Sequence, residues 1–396
     1  MKNRLRLVAL LAVVMIGFPF VAGAVSHWTH LRTVATAGWF SFLGVSNETE
    51  APEGHYFTMV DNLNNVITKT ALRVNVGDEY WAANNKHYRV ISVKGYTATC
   101  KYLGTENIVW QDEWDNIPAV TDLPVQSDAN KKSVIAVYHT HSDESYIPTD
   151  GKSSIRAQGG IFKVGDVFTE KMKDLGLTVY HDKTPHDPHD AGAYQRSRRT
   201  AVKLLKKQPA IAFDVHRDAV PAEVYEQKIG SQPVTKIKMV VGRQNQNKQA
   251  NLEFAKTMKA AMDKAHPGLF EGIFLAHGNY NQDLGPRMML IEVGSNKNSR
   301  EDAQRGVSLF ADAVPKVLGV YQNRGAQSPF NQIASPGLTR SKPGSWPAVW
   351  WLLGILVVGG GLFLIISTGS VGGGVKKLKE FAGSEWKNAL SKRKPK

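Results

Sequence analysis

Two rhythms of apolar and polar positions divide the chain. Across residues 53–124, short alternating runs such as Ala71 to Val76 and Tyr88 to Val93 are separated by Gly77-Asp78 and Gly95. Period-two alternation broken by turn residues predicts a small β-rich module. From residue 131 to 319 the rhythm changes. Val134 to Tyr138 is a continuous apolar run, β-branched and aromatic, that predicts a buried strand. Ile161, Val164, Val167, Phe168, Met172 and Leu175 then recur at helical spacing, and Gly176 ends that helix before a strand at Leu177 to Tyr180. A second helix carries Ala201, Val202, Leu204 and Leu205 into a strand at Ile211 to Asp218. Further units are a strand at Ile237 to Val241, a helix from Asn251, strands at Gly272 to Ala276 and Met288 to Gly294, and a last helix to Leu318. Strands alternating with helices predict an α/β fold with a mixed to parallel sheet and helices on both faces, preceded by the β-rich module.

Two longer apolar stretches flank these domains. Residues 1–25 are apolar after a basic start, which fits an uncleaved signal anchor, or a signal peptide cut near Ala22-Gly-Ala24. Residues 346–367 carry no charge, reach spanning length, and gather Trp346, Trp350 and Trp351 at one interface. Residues 26–52 and 320–345 read as linkers, and 368–396 as a basic tail. Basic flanks lie on the cytoplasmic side, so two transmembrane helices with both termini cytoplasmic are expected, displaying the intervening domains outside the cell membrane.

Charge sharpens this picture. The formal net charge is +14, of which the basic start supplies +3 and the tail +6, leaving +5 for everything between. The high pI therefore describes the ends, and no nucleic-acid motif or nucleic-acid partner is read from the middle. A single cysteine, Cys100, excludes an internal disulfide and is expected to be a small buried apolar residue.

Chemistry gathers where the apolar runs stop. The first ends at His139-Thr-His141, and His141 with Glu144 makes His-x-x-Glu. His216 and Glu292 lie toward the ends of two further strands. In open parallel α/β sheets, strand ends share one crevice. His141, Glu144 and His216 would form the two-His, one-Glu set of catalytic zinc sites, with Zn2+ as cofactor and Glu292 as the catalytic carboxylate. His139 is the alternative to His141, because residues two apart on a strand share a face. Arg217, Asn281, Gln282 and Arg287 are candidates for holding substrate, against their ordinary roles in ion pairs and loops. His181, His186 and His189 in a Pro-containing loop read as solvated or supporting groups in preference to a separate metal site.

In order and spacing, five motifs resemble the stage II sporulation protein P family. They are His139-Thr-His141-x-x-Glu144-Ser-Tyr, Gly159-Gly-Ile-x-x-Val-Gly165, Asp214-Val-His-Arg-Asp218, Tyr280-Asn-Gln-Asp283 and Ile291-Glu-Val-Gly294. That family is similar, at a distance, to zinc-dependent N-acetylmuramoyl-L-alanine amidases. The resemblance covers residues 131–319 and implies an amidase-like catalytic domain. It implies a membrane-anchored enzyme that removes stem peptides from peptidoglycan during forespore engulfment, with endopeptidase activity as well, and stage II sporulation proteins D and M as partners. It also implies zinc ligation by His141 and His216 and a catalytic Glu292. The glutamate ligand of the wider amidase family lies in a helix; the matching helix start near Gly160 has no acid here, so Glu144 is its nearest substitute. Two other readings stay open: a peptidoglycan-binding tether without catalysis, and a zinc carboxypeptidase acting on peptides.

Overall fold

The computed structural model describes residues 48–116 and 134–323, with residues 370, 372 and 373. The predicted N-terminal anchor, most of both linkers, the C-terminal span and most of the basic tail lie outside the described residues. Among the described residues no helix is long and apolar enough to cross a membrane.

Eleven strands form one mixed sheet. In chain order the strands are β1 (Phe57–Val60), β2 (Val66–Thr70), β3 (Glu79–Ala82), β4 (Lys86–Lys94), β5 (Thr97–Thr105), β6 (Val134–Tyr138), β7 (Thr178–His181), β8 (Ile211–Asp218), β9 (Glu226–Ile229), β10 (Gln232–Thr235), β11 (Ile237–Gly242), β12 (Phe270–Ala276) and β13 (Met288–Ser295). The sheet order is β2-β1-β5-β4-β3-β12-β11-β13-β8-β6-β7, and β9 with β10 makes a separate hairpin. Strands β7, β6, β8 and β13 run parallel, whereas β13 and β11 are antiparallel.

The expected β-rich module exists but is not a separate body. Its strand β3 pairs antiparallel with β12, from Gly272↔Ala82 to Leu275↔Glu79, so the module continues the main sheet. Gly272 permits the join, because a Cβ there would lie 2.1 Å from Tyr80 Oη. Local alternation predicts strands well, but the partner of an edge strand is set by contacts far away in sequence.

Alternation along each strand sorts the side chains between two layers. Ile211, Phe213 and Val215 of β8, with Met289, Ile291 and Val293 of β13, face a layer of helices. Those helices are α1 (Ile161–Asp174), α2 (Ala193–Leu205), α3 (Lys248–Ala265), α4 (Arg300–Ala311) and α5 (Val314–Asn323). All but α2 pack on that side: Phe168 of α1 meets Phe213 at 5.2 Å between ring centroids and Phe310 of α4 at 5.9 Å. Burying each such side chain contributes roughly 1.5–3 kcal/mol. The opposite face is shared by α2, through Ala201 and Leu204, and by the β-rich segment, whose Phe57, Met59 and Val90 cluster with Val240, Phe274 and Leu290. Asp214, His216, Lys238 and Glu292 alternate onto this second face.

Candidate metal centre

Strand β6 stops at Tyr138, and the chain turns through residues 140–143 before the single helical turn at Ile147–Asp150. Gly159 lies directly on this turn; a Cβ there would meet Glu144 O at 2.5 Å and Ser142 O at 2.7 Å. The close approach fixes where Glu144 points. Its Oε2 accepts the backbone N–H of Arg217 at 2.9 Å. Its Oε1 lies 3.1 Å from His141 Nδ1 and 3.2 Å from His216 Nδ1. The other nitrogen of His216 is 3.0 Å from Asp214 Oδ1.

Burial opposes ionisation of Glu144, but His216 and Arg217 beside it more than offset that and hold its carboxyl well below the usual range. Burial likewise disfavours a charged His216, yet Asp214 and Glu144 raise its pKa well above the ordinary imidazole value. Glu292 sits beside His216 in the β8–β13 register and beside Lys238 in the β11–β13 register. Its carboxyl is pushed well up, first by burial and then by the negative charge of Asp218. Glu292 Oε2 is buried without a hydrogen-bond partner.

Glu144 Oε1 and the two imidazole nitrogens beside it are donors of the kind that hold zinc; among the described residues, the group whose possible ligand atoms gather most closely is Glu50, His141, Glu144 and His189, without His216. Zinc bonds of about 2.0 Å in a tetrahedron put neighbouring ligand atoms roughly 3.3 Å apart, close to the two separations around Glu144 Oε1. A carboxylate backing the second nitrogen of a ligating histidine, as Asp214 backs His216, is the usual support for such a site.

His139 lies elsewhere. It continues the parity of Ile135 and Val137 onto the helix side, where its ring meets Phe162 edge-on at 5.1 Å. Its Nδ1 donates to Val215 O at 2.9 Å, and its Nε2 is 2.8 Å from His181 Nε2. The shared-face expectation fails because the strand ends before His139.

Of the substrate candidates, Arg217 alone borders the cluster. Its Nη2 donates to Ser153 O at 3.1 Å, and its Nη1 is 3.7 Å from Glu144 Oε1. Its buried Nε and Nη1 have no hydrogen-bond partner. The other three make hydrogen bonds within the scaffold, away from the cluster. Asn281 donates to Tyr194 O and Ser197 Oγ, both at 3.0 Å, and Gln282 joins Gly242 N and Val240 O, both at 2.8 Å. Arg287 precedes β13, at the opposite end of the strand from Glu292. It donates to Ala210 O at 2.9 Å and lies over the Tyr321 ring.

Two residues at the site were not foreseen. His189, from the loop judged supporting, stacks on His141 with ring centroids 3.8 Å apart. Its nitrogens face Asp143 Oδ1 at 3.1 Å and Glu50 Oε2 at 3.3 Å. Those carboxylates overcome the opposing effect of burial and raise its pKa to about 10. Glu50 comes from the stretch read as linker, and its Oε1 is 3.3 Å from His141 Nδ1. Possible ligand atoms of Glu50, His141, Glu144 and His189 all lie within 4.8 Å of one another. A cavity of about 460 Å³, lined in part by Glu50, His141, Asp143, His189 and Arg217, opens beside them. His186 takes no part: its nitrogens face His139 O at 2.7 Å and Thr200 Oγ1 at 2.8 Å.

Residues 72–315 match the family described as Stage II sporulation protein P. Stage II sporulation protein P of Bacillus subtilis (strain 168) is 30% identical over 226 residues, 52% of this chain and 56% of that protein. The match thus spans little more than half of the curated relative. Among solved structures, the N-acetylmuramyl-L-alanine amidase Ami1 from Mycobacterium abscessus aligns over 48% of this chain and 97% of its own, at 17% identity and a TM-score of 0.31. The CwlD amidase from Clostridioides difficile, solved in complex with the GerS lipoprotein, aligns over 49% of this chain and 99% of its own, at 13% identity and a TM-score of 0.29.

Proposed function

Because the chain belongs to the stage II sporulation protein P family, we propose that it is a zinc-dependent peptidoglycan hydrolase. It cleaves the amide between N-acetylmuramic acid and the L-alanine of the stem peptide, and acts on the septal wall during forespore engulfment. The observation that supports this most is the convergence of His141 Nδ1 and His216 Nδ1 on Glu144 Oε1, with Glu292, whose Oε2 has no hydrogen-bond partner, on the neighbouring strand.

His141, Glu144 and His216 would hold the ion. When bound, zinc supplies a Lewis acid for the amide carbonyl and lowers the pKa of water to near neutrality. Asp214 keeps His216 oriented, and the Arg217 N–H keeps Glu144 oriented. Glu292 Oε2 would take the proton from the attacking water and return it to the departing amine nitrogen. The Arg217 guanidinium, whose Nε has no hydrogen-bond partner, borders the cavity and would face a stem-peptide carboxylate.

Alanine at His141, Glu144 or His216 should each remove most bound zinc while leaving the fold intact by circular dichroism. Full zinc content in all three variants would refute the ligand set. The domain is proposed to work outside the cell membrane, tethered through the segments at 1–25 and 346–367.

A further inference from the structure

Residues 48–54 cross the mouth of the site as a strap. Glu48 Oε1 accepts the backbone N–H groups of Asn279 at 2.6 Å and Tyr280 at 3.1 Å. Thr49 O accepts from Arg73 N at 2.9 Å, and Ala51 N donates to Ala71 O at 2.8 Å, which sets Glu50 antiparallel to Leu72 in a single isolated bridge. Farther along, Glu53 Oε1 accepts the Ser153 hydroxyl at 2.8 Å. These attachments leave the Glu50 side chain one direction, inward.

There its two oxygens meet two imidazoles, His141 Nδ1 and His189 Nε2, each at 3.3 Å. The same His141 Nδ1 lies 3.1 Å from Glu144 Oε1. The spacing from Glu50 to His141 equals the ligand-to-ligand edge of a zinc tetrahedron, roughly 3.3 Å. His189, backed by Asp143 and stacked on His141, holds the other Glu50 oxygen and so aims the first one.

We propose that Glu50 is a fourth protein ligand to the metal, supplied by the strap, and that the fold described here is the closed form of the site. Catalytic zinc keeps one position for water, whereas four protein ligands close the ion off. Water and substrate reach the metal only when residues 48–54 lift away. The strap is held by a few hydrogen bonds and a single bridge, so its release leaves the sheet and the other three ligands in place. This inference rests on the zinc-hydrolase reading, with His141, Glu144 and His216 as the standing ligands.

The test compares the full-length wild-type chain with Glu50→Ala, Glu50→Gln, Ala51→Pro and His216→Ala. Ala51→Pro removes the N–H donated to Ala71 O and loosens the strap without touching a ligand. For each protein, zinc affinity is read by competition with a chromophoric chelator, coordination by the visible spectrum after Co2+ substitution, folding by melting temperature, and activity by stem-peptide release at saturating zinc. Glu50→Ala and Ala51→Pro should weaken zinc binding by about tenfold or more, alter the Co2+ spectrum, and raise the rate several-fold. Glu50→Gln should fall between them and wild type. Wild-type zinc affinity and an unchanged Co2+ spectrum in folded Glu50→Ala would overturn Glu50 ligation. Weaker zinc binding with no gain in rate in both Glu50→Ala and Ala51→Pro would overturn the closure. Full zinc retention in His216→Ala would instead overturn the parent reading, so the two failures are distinguishable.

Discussion

Glu292 is the residue on which chemistry and structure divide most cleanly. Its carboxyl lies among acidic neighbours and is buried, with Oε2 unpartnered. Removing its charge should therefore relieve repulsion within the fold while removing the proton acceptor. Glu292→Gln is expected to melt no lower than wild type, to keep its zinc, and to lose at least about a hundredfold in stem-peptide release. Near-normal turnover from a folded, zinc-loaded variant would contradict the role. The sequence made His141, Glu144, His216 and Glu292 visible because each follows or closes an apolar run, and polar groups there have few other uses. Glu50 and His189 gave no such sign. Glu50 has no periodic context, and it is 91 residues from His141 in the chain but 3.3 Å away in space. One signal could have been weighed more heavily: three histidines within residues 181–189, from the end of β7 into the loop that follows.

Among the elements, β6 shows how a strand's end redirects chemistry. Alternation carries His139 into the helix layer, where it pairs with His181 of the adjacent β7, and because regular pairing stops at Tyr138, His141 leaves that face and meets Glu144. Burial depresses both members of this pair, His139 to about 3 and His181 to about 4. In the unfolded chain each binds a proton as pH falls below about 6.5, whereas in the fold they stay neutral. Their contribution is fully present above that pH and is lost as pH falls toward 4. His189 and His216 of the metal-free protein are raised, so below pH 6.5 they are protonated folded and unfolded alike and add no slope. In chelator, between pH 4.5 and 6.5, against the opposite slope from Asp78 and Glu292, whose carboxyls are raised, each of the two histidines should lower the unfolding free energy on acidification by up to about 1.4 kcal/mol per pH unit. His181→Gln, which keeps a donor for His139, should reduce that slope; denaturant titrations at several pH values showing no change would contradict the assignment. The alternating strands and amphipathic helices were legible because each buries one face. The β3–β12 junction was not, because edge pairing is decided across nearly two hundred residues and leaves no local pattern.

At the scale of the described residues, one sheet connects the strap, the β-rich segment and the candidate metal site. Buried Lys238 ties them together: its Nζ lies 3.1 Å from Asp218 Oδ2 and 2.8 Å from Lys69 O of β2. The strap attaches to the β-rich segment that precedes the α/β pattern in sequence, through the bridge of Glu50 to Leu72. The proposed membrane topology rests on the basic residues at the two ends of the sequence. Protease added outside intact cells should leave a C-terminal tag uncut, and digestion of the tag would reverse the orientation. The central claim, amide hydrolysis in peptidoglycan at a zinc centre, is tested most directly by mass spectrometry of what zinc-loaded wild-type and Glu50→Ala chains release from purified peptidoglycan, with and without chelator. Stem peptides bearing a free L-alanine amine, together with glycan strands bearing unsubstituted muramic acid, are expected, with the larger yield from Glu50→Ala and none in chelator. Release of neither product by either zinc-loaded chain, or release that chelator leaves unchanged, would contradict it.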